Sequence, residues 1–156
     1  MPPKFDFAHT NQLESIELLT ARPSRIDFDT GDGLRFVVEA HAPGVYRIRC
    51  GLPHALVDEK PSPREKAIAE MLLARQEAVG EATIAPRDGG GWRIVQGETA
   101  LEVLTDPVRV ALFKGDAQVF ISDDSEHAPG FGHNALDEPD EAVWTAGFAL
   151  DASDRI

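Results

Sequence analysis

Apolar and polar residues alternate with period two along most of this chain, the pattern of strands that send every second side chain into a core. The alternation predicts strands at Ser15 to Thr20, Arg25 to Asp29, Leu34 to Ala40, Val45 to Cys50, Ala82 to Ala85, Trp92 to Gln96, Ala100 to Leu104, Val108 to Phe113, Gln118 to Ser122 and Val143 to Leu150. Turn residues separate them at short intervals: Thr30-Gly31-Asp32-Gly33, Ala42-Pro43-Gly44, Asp88-Gly89-Gly90-Gly91, Asp106-Pro107 and Gly115-Asp116. Many short strands joined by short turns, without helices alternating between them, predict an all-β fold of packed antiparallel sheets.

One segment departs from this period. Ser62-Pro63-Arg64-Glu65 carries a hydroxyl N-cap, proline at the first helical position and glutamate at the third. Ile68, Met71, Leu72 and Val79 then recur at helical spacing, and Gly80 is placed to end the run. An accessory helix is therefore expected from Pro63 to Val79, lying on a sheet or closing one end of the sandwich. From Asp123 to Ala142 the alternation stops, which predicts a long acidic loop between two strands.

Composition narrows the function classes. At 156 residues the chain is one domain's worth, with 42% hydrophobic and 27% charged residues, enough to build a core. The net charge of −12 argues against nucleic acid and anionic membrane surfaces as partners. The residues from Asp123 onward hold nine acids against one base, a net of −8, so the remainder is nearly balanced. A lone cysteine, Cys50, allows no internal disulfide. No basic-then-apolar leader follows Met1 and no run is long enough to cross a bilayer as a helix, so the expected location is the cytoplasm.

Each group of residues that might carry chemistry has a plainer reading beside it. Asp123, Asp124, Glu126, Asp137, Glu138, Asp140 and Glu141 offer hard oxygens for calcium, and His127 and His133 offer nitrogen for a transition metal. No EF-hand spacing is present, Asp27-x-Asp29-x-Gly31 lacks the third ligand, and acidic runs in loops are commonly just hydrated. Asp137-Glu138 and Asp140-Glu141 are neighbours whose side chains diverge on an extended chain, which does not suit the paired carboxylates of glycoside hydrolysis. Ser125 has no Gly-x-Ser-x-Gly elbow around it, and Cys50 has no evident histidine partner. Gly89-Gly90-Gly91 precedes a strand and lacks the phosphate-cradle lysine, so it reads as a hairpin tip. Among aromatics that could stack on sugars, Tyr46 and Trp92 lie on strands. Phe36, Phe113, Phe120 and Phe148 are expected in the core, leaving Trp144 and the loop residue Phe131 as candidates for exposure.

Residues Leu34 to Gly51, Trp92 to Asp123 and Val143 to Ile156 carry a resemblance. Val45-Tyr46-Arg47-Ile48-Arg49, Leu101-Glu102-Val103-Leu104-Thr105-Asp106-Pro107-Val108-Arg109-Val110 with Lys114-Gly115, Phe120-Ile121-Ser122-Asp123, and Phe148 to Ile156 follow one another in order. Together they resemble the N-terminal β-sandwich domain of glycoside hydrolase family 31, the α-glucosidase and α-xylosidase family. The resemblance implies a galactose-mutarotase-like super-sandwich packed beside a catalytic (β/α)₈ barrel of the same parent chain. That parent would be a retaining enzyme whose two catalytic aspartates lie in the barrel, so no catalytic residue carries over to residues 1–156.

Substrate-binding residues stay unassigned, and neither a metal nor a cofactor is expected. The expected partners are the barrel and, through the parent enzyme, its carbohydrate substrate. Arg155-Ile156 falls in the middle of a strand pattern, and the chain is accordingly expected to be a single domain truncated before the barrel. The alternatives are a free-standing carbohydrate-binding or protein-interaction module that uses the acidic loop or Trp144, and a sandwich stabilised by calcium.

Overall fold

The computed structural model describes residues 11–56, 81–122, 124–125, 128–133 and 144–146. The fold is an all-β sandwich. Its first sheet is a meander of β2 (Glu17–Arg22), β3 (Arg25–Asp29), β4 (Arg35–Ala42) and β5 (Val45–Gly51), side by side in that order. The second is likewise a meander, of β6 (Thr83–Pro86), β7 (Trp92–Gln96), β8 (Thr99–Thr105), β9 (Val108–Lys114) and β10 (Ala117–Ile121). All of these pairings are antiparallel. A third, small sheet joins β1 (Asn11–Gln12), β13 (Phe131–His133) and β14 (Trp144–Ala146), and β11 (Asp124–Ser125) pairs with β12 (Ala128–Pro129).

The strands of the two larger sheets form within two residues of where the period-two pattern places them, because alternate residues meet in one apolar layer. Ile26 and Phe28 of β3 and Phe36, Val38 and Ala40 of β4 face Ile94 of β7, Leu101 and Val103 of β8, and Val108 and Val110 of β9. Each of these is 3% exposed or less. Fully burying one such side chain stabilises a fold by roughly 1.5–3 kcal/mol, so this layer dominates the energetics. The residues between them (Arg25, Asp27 and Asp29 on β3, Arg35 and Glu39 on β4) point the other way, as the pleat requires.

Two expectations about aromatic residues are corrected. Phe131, read as a loop residue and a candidate for exposure, is 4% exposed and sits edge-on to Phe36, ring centres 5.2 Å apart. It lies on β13, inside the stretch expected to be a long acidic loop between two strands; β11 and β12 also fall there. Phe113, expected in the core, pairs with Ala100 and Gln118 on the outer face of the second sheet, because Val108, Val110 and Leu112 take the inward positions of β9. Phe120 is half-buried on edge strand β10. Phe148 and the helix expected from Pro63 to Val79 lie outside the described residues, among which the helical turn is a 3₁₀ segment at Pro53–Leu56.

Backbone contacts tie the layers at both ends. At one, the β4–β5 turn docks on the β7–β8 turn: the Gly44 amide donates to Thr99 Oγ1 at 2.9 Å, and a Cβ at Gly97 would lie 3.3 Å from Pro43. At the other, residues 13–16 cross from the small sheet to the second. The Leu13 amide donates to Phe131 O, the Ile16 amide to Thr105 O, and Val108 donates back to Glu14 O.

Gly91 closes the β6–β7 hairpin with φ +92°, and a Cβ there would lie 2.2 Å from the Val103 carbonyl oxygen. Gly91→Ala is therefore expected to destabilise the domain by about 2–4 kcal/mol, from left-handed strain plus overpacking against backbone. Thermal denaturation followed by circular dichroism checks this, with Gly90→Ala, where no neighbour lies within 4 Å, showing the strain alone.

Candidate functional site

Four polar arrangements stand out on the sandwich. The first is an arginine–carboxylate ladder across the outer face of the first sheet. Asp27 accepts from Arg25 Nε at 2.6 Å and Arg22 Nη2 at 3.0 Å; Glu39 lies within 2.7 Å of Arg47 Nε, 3.2 Å of Arg49 and 3.6 Å of Arg25. Asp29 meets Arg35 at 3.4 Å and also accepts from the Gly31 amide at 2.7 Å. Cross-strand register builds this ladder, since Arg25, Glu39 and Arg47 occupy one row of paired positions. Planar guanidinium groups suit it because each can bridge two carboxylates on neighbouring strands.

The second arrangement sits on the outer face of the other sheet. Glu102, 7% exposed, accepts from Arg87 Nε and from Arg93 Nη1, both at 2.7 Å. Arg93 also lies over the Phe113 ring, 5.6 Å from its centre, and Arg87 Nη1 donates to Gly90 O at 3.3 Å. Glu102 thus pins the β6–β7 hairpin to the centre of the sheet.

The third is an end cluster in which the Tyr46 hydroxyl reaches Thr99 Oγ1 at 3.1 Å and Ile94 O at 3.5 Å. Tyr46 and Trp92 are half-buried and pack against the core, so neither ring is an open stacking platform. The fourth is a shallow hollow of about 370 Å³ between edge strands β2 and β6, lined by Ala21, Arg22, Pro23, Glu81, Ala82 and Ile84. Among the described residues its lining holds one acid, one base and no aromatic residue.

The carboxylates described in the first two arrangements act as structural partners of arginine. Asp27 and Asp29, weighed above as oxygen ligands, face guanidinium groups. Among the described residues no three of His, Cys, Asp or Glu converge as a metal would require. Of the acidic-loop candidates, Asp123, Glu126, His127, Asp137, Glu138, Asp140 and Glu141 lie outside the described residues; Asp124, Ser125, His133 and Trp144 are placed on strands by their backbones alone. Gly89 and Gly90 form a hairpin tip, with the Arg87 amide donating to Gly91 O and Gly90 to Arg87 O. Cys50 packs against the core, and burial pushes its thiol up to about 12, far from the thiolate a nucleophile needs. Sequence reasoning missed the Glu102 pin, although a single charge inside Ala100-Leu101-Glu102-Val103-Leu104 signals a carboxylate held by partners.

Among solved structures, the fold is similar to the Flavobacterium johnsoniae GH31 dextranase complexed with glucose, at TM-score 0.54 and 12% identity, over 80% of this chain and 15% of that one. A mutant of the same dextranase complexed with isomaltotriose matches at TM-score 0.54 and 11% identity, with the same coverage. The chain thus spans 15% of the length of these structures, and at such identity the likeness is one of fold. No protein-family model and no curated protein matches the chain.

Two of these contacts lead to measurable outcomes. Glu102→Ala is expected to cost about 1–3 kcal/mol, below the value for a fully buried ion pair because both arginines are partly hydrated; a double-mutant cycle with Arg87→Ala should reveal the coupling. The Cys50 thiol holds its proton up to about 12 in the native state against an ordinary 9.0. Its contribution to stability is therefore whole below pH 9 and lost as pH rises toward 12. Thiol-reactive dye should label native protein slowly at about pH 8 and rapidly after denaturation.

Proposed function

We propose that this chain is a non-catalytic β-sandwich domain of a retaining α-glycosidase related to family 31, packed beside the catalytic barrel and helping to shape access to its substrate. The observation that carries the reading is the fold likeness to a GH31 dextranase, in which four fifths of this chain corresponds to under a sixth of that enzyme. The motifs around Tyr46 and Asp106-Pro107 support it independently, since they resemble the N-terminal domain of the same family. On this reading the hydrolytic carboxylates and the sugar subsites belong to the barrel. The partners are that barrel and, through it, an α-linked glucan or oligosaccharide.

The ion-paired outer faces fit such a role. Asp27, Glu39 and Glu102 hold arginines on neighbouring strands, which makes each sheet face rigid, as a support for a larger module should be. The alternative of a free-standing sugar-binding module rests on the acidic loop or Trp144, whose side chains lie outside the described residues; of the other aromatic residues, Tyr46, Trp92 and Phe131 are engaged with the core, and Phe113 lies beneath Arg93.

Reading the gene past Ile156 and weighing the native product by intact mass tests the proposal. The expected result is an open reading frame that continues into a barrel-sized region, with deletion of residues 1–156 from that protein abolishing its soluble expression or its α-glucosidase activity. A stop codon directly after Ile156, or α-glucoside hydrolysis by the purified chain that is lost on mutating its own acids, overturns it.

A further inference from the structure

We propose that the edge of β2 opposite β3 is a self-complementary interface through which two copies of this chain pair antiparallel about a twofold axis. The reading draws on the sequence and exposure of one strand and is independent of the function proposed above. All six residues of β2, Glu17-Leu18-Leu19-Thr20-Ala21-Arg22, are exposed, and Leu18 and Leu19 are 40% and 43% exposed. The strand pairs with β3 along one edge, and its other edge has no partner strand among the described residues. Natural sheets commonly guard such an edge with lysine, proline, inward-pointing charge or a bulge. Here the strand holds neither lysine nor proline, its only charges are opposite in sign and stand at its two ends, and its one irregularity is the register shift between Leu18 and Thr20.

Charge complementarity identifies the occupant. A twofold axis between Leu19 and Thr20 sets Glu17 opposite Arg22 of the second copy, and Arg22 opposite its Glu17. Leu18 then lies opposite Ala21 on both sides of the axis. The faces agree as well. Glu17 and Arg22 pair within the chain with Asp29 and Arg25 on the outer face, whereas Leu18 and Ala21 pair with Phe28 and Ile26 on the core face. Across the axis, charge would meet charge on the outer face, and leucine would meet alanine where the apolar layer reaches the edge. The register shift between Leu18 and Thr20 falls beside the axis, so both copies carry the same irregularity and remain in step.

Such a contact is isologous and closes at two copies, giving one continuous sheet of eight strands from two four-stranded ones. Its small area makes the association reversible and dependent on concentration.

Sedimentation velocity of the full chain across a concentration series is the test. The expected result is a shift from 17.0 kDa toward twice that mass as concentration rises. Glu17→Arg and Arg22→Glu should each weaken association by roughly tenfold, because like charges then face each other twice across the axis. Mixing the two variants should restore it, since one copy then brings a base at both ends of the strand and the other an acid at both ends. Far-ultraviolet circular dichroism confirms that each variant is folded. Because Arg22 also contacts Asp27, Glu17→Arg serves alone if Arg22→Glu does not fold. A chain that stays at 17.0 kDa throughout, a dimer indifferent to Glu17→Arg, or two folded variants that fail to associate on mixing overturns the proposal.

Discussion

Phe36 sits where the sandwich is joined. It is fully buried, its ring meets Phe28 of the neighbouring strand at 6.3 Å and Phe131 of the small sheet at 5.2 Å, and it belongs to the cluster that includes Val103 and Val110 from the facing sheet. The near-perpendicular approach of Phe131 puts a ring edge against a ring face, the arrangement aromatic quadrupoles favour. The inward register of β3 and β4 and the position of β13 follow from filling the space around this side chain. A one-residue slip of β4 would turn Phe36 and Val38 outward and bring Arg35 and Glu39 into the core, which no partner there could offset.

The outer faces obey the complementary constraint. Where alternate residues are committed to the core, the residues between them carry the charge, and on adjacent strands these come into register. The result is an interlocked set of acids and arginines on the first sheet and one acid held by two arginines on the second. Exposed pairs of this kind are worth little singly. Here the side chains of Asp27, Glu39 and Glu102 are each 10–17% exposed and each meets at least two arginines, so their main effect is to fix strand positions.

Much of this was legible in the chain itself, for reasons tied to particular residues. Arg25-Ile26-Asp27-Phe28-Asp29 can satisfy both faces of a sheet in one way only, and its strand appears where the alternation placed it. Ala111-Leu112-Phe113 is three apolar residues in a row, so period two could not say which faced inward; the register of Val108 and Val110 decided that Phe113 lies outside. Phe131 was hidden by its neighbours Pro129, Gly130 and Gly132, which signal a turn, and by a strand of three residues, too short to show a period. The ion-pair ladder was less visible because its members are adjacent in space and distant in sequence: Arg47 and Glu39 meet across a turn, and Arg87 reaches Glu102 across a whole strand.

The two ends of β4 differ in a way that matters to anyone who would modify this scaffold. The turn after it, Pro43-Gly44, is seated against Gly97 and Thr99, so extra residues there would push two hairpins apart. The turn before it is held by its own side chains, with the Thr30 hydroxyl and the Leu34 amide on Asp32 and the Gly31 amide on Asp29, and open space surrounds Gly31 and Gly33. That hairpin is a natural place to splice in a foreign peptide or a reporter, since lengthening a surface loop costs only slowly growing closure entropy and leaves the apolar layer beneath intact.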